Sequence, residues 1–238
     1  MKLTILMYHK IAEPTPNVRY PGNYVSPTNF ERQMDALLRW GYASIRFEEW
    51  FDYRAGRVHS LPAKPLIITF DDGYTCFDRH AWPVLRARNV GATMFLVAGQ
   101  VGGTNAWDPA ETPERLLDAT RIRELQAEGV DFGSHTFNHP ALARIPPTRA
   151  FDELVRSRSS LRALLDRDVD VLAYPFSNQN QTVRRLARQA GYRGAVRGRG
   201  RMNWRHTDPF GLRRIKVERE TTVASLRKTL FIERWMKV

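Results

Sequence analysis

Four residues in two short runs have the types and spacing to do chemistry. Asp71 and Asp72 end the run LIITFDDGY, and His135 and His139 stand four apart in DFGSHTFNHP. Each run follows a short apolar stretch, so both sets of side chains belong in loops just past strand ends. Adjacent carboxylates diverge, which lets one ligate a cation while the other stays free for proton transfer. An Asp-Asp-Gly run is also an ordinary turn, with Gly73 permitting the sharp reversal, and that plainer reading stands beside the catalytic one. On a helical turn, histidines four apart share one face, and both can reach a single Zn²⁺ at ~2.0–2.1 Å through neutral nitrogens. Two solvent-facing histidines are the plainer alternative. With Asp72 they supply two nitrogens and one oxygen, a facial set that leaves positions open for water and substrate.

The elements that must position these groups are legible as alternation. Short apolar runs at Leu3–Tyr8, Ala43–Ile45, Leu66–Phe70, Ala92–Val97, Val130–Phe132, Val171–Ala173, Gly194–Val196 and Leu212–Val217 read as strands. Helical patterns separate them at 29–40, 47–54, 77–88, 113–128, 148–166, 180–190 and 223–231. The first carries a capping box, Thr28 with Glu31, and stops at Gly41. Such alternation is the mark of parallel strands joined by crossover helices. With 238 residues, no long linker and no repeat, the chain reads as one α/β domain over 1–238, a distorted (β/α)7-8 barrel. In that fold the chemistry gathers at the strands' C-terminal ends. An open doubly wound sheet is the competing architecture.

At this point TFDDGY followed by HTFNH resembles the first two motifs of the polysaccharide deacetylase family, carbohydrate esterase family four. The resemblance implies a distorted β/α barrel that removes N-acetyl groups from an amino sugar or glycan. It also implies Asp71 as catalytic base and Asp72, His135 and His139 as ligands of a divalent metal, Zn²⁺ being expected. Two departures are visible. The family's third motif places an Arg two residues before Pro, whereas Ala173-Tyr174-Pro175-Phe176 has Ala there, leaving the arginine's role unfilled. The late histidine that serves as general acid is also missing. ILMYHKI ends an apolar strand in His9 instead, and the chain resembles the circularly permuted exopolysaccharide-modifying branch, in which the first strand lies beside the last. His9 is therefore the expected general acid and His206 the reserve. Tyr74 is expected to offer its backbone N–H to the oxyanion. Trp107, Phe137, Tyr174, Pro175 and Phe176 are expected around the sugar, with Asn105 and Asp108 as polar contacts.

Composition bounds the rest. A single cysteine, Cys76, excludes an internal disulfide framework. No apolar run is long enough for a signal-peptide core or a membrane span, so the chain reads as cytoplasmic, with peripheral membrane association left open. The net charge is +12. No acidic residue falls between Val171 and Thr207, where Arg184, Arg185, Arg188, Arg193, Arg197, Arg199, Arg201 and Arg205 cluster. That stretch is either a solvated basic face or a site for an anionic or lipid-linked sugar. No nucleic-acid motif accompanies it. Three rival functions remain: a related metal-dependent amide hydrolase acting on formyl or cyclic amides, which a substrate panel separates; an inactive glycan-binding module; and a basic nucleic-acid binder, marked by steep loss of affinity with salt and no metal requirement.

Overall fold

The computed structural model describes residues 1–198, 200 and 202–235. Twelve strands follow in chain order: β1 (Lys2–Tyr8), β2 (Lys10–Ile11), β3 (Tyr24–Val25), β4 (Ala43–Ser44), β5 (Pro65–Phe70), β6 (Thr93–Leu96), β7 (Asp131–Ser134), β8 (Val171–Ala173), β9 (Gly194–Arg197), β10 (Asn203–Trp204), β11 (Leu212–Arg213) and β12 (Ile215–Lys216). The helices are α1 (Pro27–Arg39), α2 (Phe47–Ala55), α3 (Trp82–Ala87), α4 (Ala119–Ala127), α5 (Pro147–Leu165), α6 (Gln181–Gln189) and α7 (Val223–Trp235). No described helix is long and apolar enough to cross a membrane.

The strands form a nearly closed barrel in the order β1-β5-β6-β7-β8-β9-β11, all parallel. Closure comes from one late segment with two partners. Leu212 and Arg213 pair with Val196 and Arg197 of β9, while Ile215 and Lys216 pair with Leu6 and Met7 of β1. The expected single strand Leu212–Val217 is thus two strands, because the chain changes partners at Arg214. The first strand therefore lies beside the last, as the permuted arrangement requires.

Side chains alternate across the wall, as the pleat demands. Leu3, Ile5, Ile67, Phe95, Val171, Ala173, Val196 and Leu212 share one interior cluster, which Phe47, Trp50 and Phe51 of α2 plug from below. Their neighbours Leu6, Tyr8, Ile68, Phe70, Met94, Leu172 and Ala195 belong to the outer cluster beneath the helices. Each fully buried Leu, Ile or Phe contributes about 1.5–3 kcal/mol of transfer free energy, so both rows favour this register. Gly133 is needed where the interior is tightest: a Cβ there would lie 2.5 Å from Phe95 Cε1.

Several boundaries differ from expectation for local reasons. Helix α1 starts earlier than the Thr28 capping box implied: Ser26 is the cap, accepting from the Asn29 amide at 3.2 Å, with Pro27 as the first helical residue. Over 77–88 a π-helical turn (Phe77–Ala81) precedes α3, with Pro83 unable to donate to the ladder. Residues 113–118 are not helical. Arg115 and Leu116 bridge to Thr104 and Tyr74, and α4 begins only after Asp118, which caps it through the Arg121 amide at 2.8 Å.

Candidate active site at the barrel mouth

Continuing the inward row by two residues at each strand end yields the site: Ile67, Thr69, Asp71 on β5; Gly133, His135 on β7; Leu212, Arg214 at the closing segment; Ile5, Met7, His9 on β1. Asp71, Asp72, His9, His135, His139, Tyr74, Trp107, Tyr174, Phe176 and Arg214 all line one cavity of about 420 Å³.

Asp72, His135 and His139 are buried and offer ligand atoms all within 4.8 Å of one another. Asp72 Oδ1 lies 3.5 Å from Nε2 of each histidine. The two imidazoles are not on a helical turn, as their spacing suggested. They sit in a loop that reverses through left-handed residues Thr136 (φ 68) and His139 (φ 61). Thr136 Oγ1 accepts from the His139 amide at 2.9 Å. Glu153 of α5 accepts from the amides of Phe137 and Asn138 at 3.0 and 2.8 Å. His135 Nδ1 lies 2.7 Å from the Ala173 carbonyl oxygen, which fixes the tautomer leaving Nε2 as acceptor.

Ala173 leaves no arginine before Pro175, but an arginine from the closing segment stands against Asp71. Arg214, 1 % exposed, donates to both Asp71 oxygens at 2.6 and 2.7 Å and to Thr69 Oγ1 at 3.1 Å. Sequence reasoning missed it. The available signal was an Arg two residues after Leu212, in the inward row of an apolar strand.

Electrostatics separate the two carboxyls. Burial alone would raise Asp71, but the Arg214 guanidinium overrides it and holds Asp71 well below the usual carboxylate range. Asp72, equally buried and facing the charge of Asp71, is pushed up to about 8. Burial lowers His135, and lowers His139 well below its ordinary value, so both rings are neutral. Burial also pushes His9 down to about 4, against the pull of Asp71.

The remaining expected residues divide. The Trp107 and Phe176 rings pack 4.8 and 4.7 Å from the His139 ring, and Phe176 is 68 % exposed. Phe176 and Ser177 are both left-handed (φ 57 and 56), and with Asp72, Thr136 and His139 they make five of the eight described non-glycine residues at positive φ. Such conformations cost about 1–3 kcal/mol each and concentrate where function fixes the backbone. Tyr74 is wedged against Lys10, whose Nζ sits 4.4 Å from its ring centroid. Tyr174 is 1 % exposed with its hydroxyl donated to the Phe210 carbonyl, so its ring is no open stacking face. Pro175 is buried in the turn that orients Phe176 rather than lining the cavity. Phe137 does not line it either; its ring packs against the Arg156 guanidinium. Asn105 spends its amide on Thr112 and Glu114 backbone groups, while Asp108 lies on the wall. His206 stacks on Trp204, whose strand pairs with Lys2. That end of β1 is roughly 20 Å from His9 at ~3.3 Å per residue, so His206 is not in the site. Of the arginine stretch, Arg199 and Arg201 lie outside the described residues.

Polar groups gathered at the C-terminal mouth of a β/α barrel stand where such folds place their chemistry. The family model for polysaccharide deacetylase matches residues 59–195, more than half of the chain, so the chain belongs to the polysaccharide deacetylase family. His9 and Arg214 fall outside the matched stretch. The Streptococcus pyogenes deacetylase PplD, solved with acetate, is similar at a TM-score of 0.81 and 27% identity, covering 97% of this chain and 98% of that one. IcaB from Ammonifex degensii has a TM-score of 0.81 at 27% identity, covering 96% and 97%. The poly-β-1,6-N-acetyl-D-glucosamine N-deacetylase of Staphylococcus epidermidis is 27% identical over 165 residues, 65% of this chain and 54% of that protein. The chain thus spans about half the length of that relative.

Proposed function

We propose that the chain, acting as one catalytic domain, removes N-acetyl groups from an amino-sugar glycan and releases acetate and a free amine. The observation that carries this reading is the pairing of two unlike buried carboxyls in one cavity. Asp71 is kept ionised by Arg214, and Asp72 is set against two neutral imidazoles. The relatives' N-acetylglucosamine deacetylase activity supports the choice of substrate.

The donor set fits a divalent cation. Two neutral nitrogens and one carboxylate converge, and Asp72 is a costly buried anion unless a positive charge stands beside it. Nitrogen-rich, low-coordinate ligation favours Zn²⁺. Such an ion would acidify a water toward pKa ~7 and polarise the acetyl carbonyl.

The protein's own groups do the rest. Asp71, aligned by two bonds from Arg214, accepts the attacking water's proton as the new C–O bond forms. The Tyr74 amide donates to the oxyanion. His9 enters neutral, takes the proton from Asp71 and passes it to the amine nitrogen as the C–N bond breaks. Trp107 and Phe176 flank His139 at the mouth and hold the sugar ring by stacking. The test is a panel of N-acetylglucosamine oligomers, O-acetylated xylan oligomers and N-formyl sugars, read for acetate or formate and for new amine. Amine with acetate from the first supports the reading; release from only the others overturns it.

A further inference from the structure

The cavity wall extends beyond the groups used above. It includes Tyr20 and Asn23, which the chemistry leaves without a task. Both belong to the connection between β2 and β3, an excursion of the chain outside the barrel, since those two strands pair only with each other. A path of side-chain contacts leads to them from the centre. The Trp107 ring lies 4.8 Å from the His139 ring. Asp108, the next residue, stands 3.7 Å from the Arg19 guanidinium, which in turn lies 5.3 Å from the centroid of the Tyr20 ring. Tyr20 is therefore further from His139 than the ring that stacks on the acetylated sugar, on the wall of the same cavity.

The rim is held through its main chain. Glu111, buried on the facing loop, accepts from the amides of Arg19 and Tyr20 at 3.1 Å each, and from the Thr112 amide at 3.0 Å. A buried carboxylate is costly unless its oxygens are satisfied, so these bonds fix the backbone at Tyr20 firmly. The Arg219 amide donates to the Gly22 carbonyl at 3.2 Å, and the Asn23 amide to the Tyr20 carbonyl at 3.0 Å. None of these bonds engages the side chains of Tyr20 or Asn23. The Tyr20 ring stays 44 % exposed. Among the described residues, neither its hydroxyl nor the Asn23 carboxamide bonds to a protein group. A fixed, partly open aromatic ring beside a free carboxamide suits a sugar, whose C–H face packs on the ring while its hydroxyls meet the polar groups.

We infer that Tyr20 and Asn23 form a second sugar subsite, which holds the residue adjoining the one deacetylated and makes the chain prefer oligomers to a single N-acetyl sugar. The inference rests on the glycan reading above and deepens it with a requirement for substrate length.

Binding is tested first, on Zn²⁺-loaded Asp71→Asn, in which turnover is suppressed. N-acetylglucosamine and its β-1,6- and β-1,4-linked trimers are titrated calorimetrically into this protein and into the same protein carrying Tyr20→Ala or Asn23→Ala, and all three are melted. The subsite predicts that at least one trimer binds 10-fold or more tighter than the monomer. Tyr20→Ala should weaken that trimer by about 3- to 10-fold, with monomer affinity and melting temperature unchanged. Should Tyr20→Ala melt lower, Asn23→Ala decides by the same split, since its main-chain bond to Tyr20 is retained. Trimers that bind no tighter than the monomer, a variant that weakens monomer and trimer equally, or a deciding variant that binds the trimer undiminished overturns the inference. Acetate release by the unaltered chain then separates the two readings. Tyr20-dependent trimer binding with no acetate released from any of the sugars defeats the deacetylase reading and leaves the subsite standing. Acetate release with kcat/KM no higher for either trimer than for the monomer defeats the subsite alone.

Discussion

Replacing Arg214 by Met should turn Asp71 from a permanently ionised group into one that titrates near neutrality. The guanidinium is the force that overrides burial at Asp71. Without it, burial governs Asp71 as it governs Asp72, which stands at about 8. In the native chain the folded value of Asp71 lies below its unfolded value of ~3.9, so its stabilising contribution is complete above about pH 4 and constant from there upward. In Arg214→Met the folded value lies above the unfolded one. A penalty then opens at about pH 4 and grows with pH, by ~1.4 kcal/mol per unit, until the folded value is reached. Over the roughly three units to pH 7 it amounts to about 4 kcal/mol, within the ~3–5 kcal/mol typical of a buried ion pair that loses one partner. Urea denaturation of metal-free protein between pH 4.5 and 7.5 measures it directly. In the loaded enzyme the acid limb of kcat/KM should move upward into the accessible range, so that activity lost at pH 6–7 is partly regained at pH 9. A stability deficit that is the same at every pH, together with an unmoved acid limb, would refute the claim that Arg214 sets the protonation of Asp71.

Three further outcomes follow from the same geometry. Because Asp72 is raised to about 8 while both histidines stay neutral, Zn²⁺ affinity should fall about 10-fold per pH unit below pH 8. Chelator competition checks this, and a slope near three protons would show that the histidines titrate as well. Gly133→Ala places a Cβ 2.5 Å from Phe95 and 2.8 Å from the Val171 carbonyl oxygen, so it should cost about 1–3 kcal/mol, read as a lowered midpoint in urea. Phe176→Ala removes a 68 % exposed ring. Stability should hold while KM rises about 3- to 10-fold at nearly constant kcat, and a lowered midpoint with unchanged KM would make the ring structural.

Much of this was readable from residue order, and the exceptions have definite causes. The strands were legible because each is a short apolar run between helical patterns. The four central residues were legible because each follows such a run: Ile67-Thr69-Asp71 and Gly133-His135 simply extend an inward row. The histidine spacing was informative for a reason other than the one it suggests. No helix joins His135 to His139, and a left-handed loop pinned by Glu153 brings the rings together. The helix expected from residue 113 was lost to tertiary pairing, since Arg115 and Leu116 serve the Trp107 loop instead. Arg214 was the costliest omission. Its neighbours read as one uninterrupted strand, whereas its place at the site depends on that strand exchanging β9 for β1, a long-range choice that no local pattern encodes.

The most direct test of the account is acetate release from N-acetylglucosamine oligomers by metal-stripped protein, before and after Zn²⁺ is added, with Asp71→Asn in parallel. The account predicts no release without metal, restored release with it, and a rate at least 10²-fold lower in the variant although the variant binds Zn²⁺. Release that is indifferent to metal, or undiminished in Asp71→Asn, would contradict it.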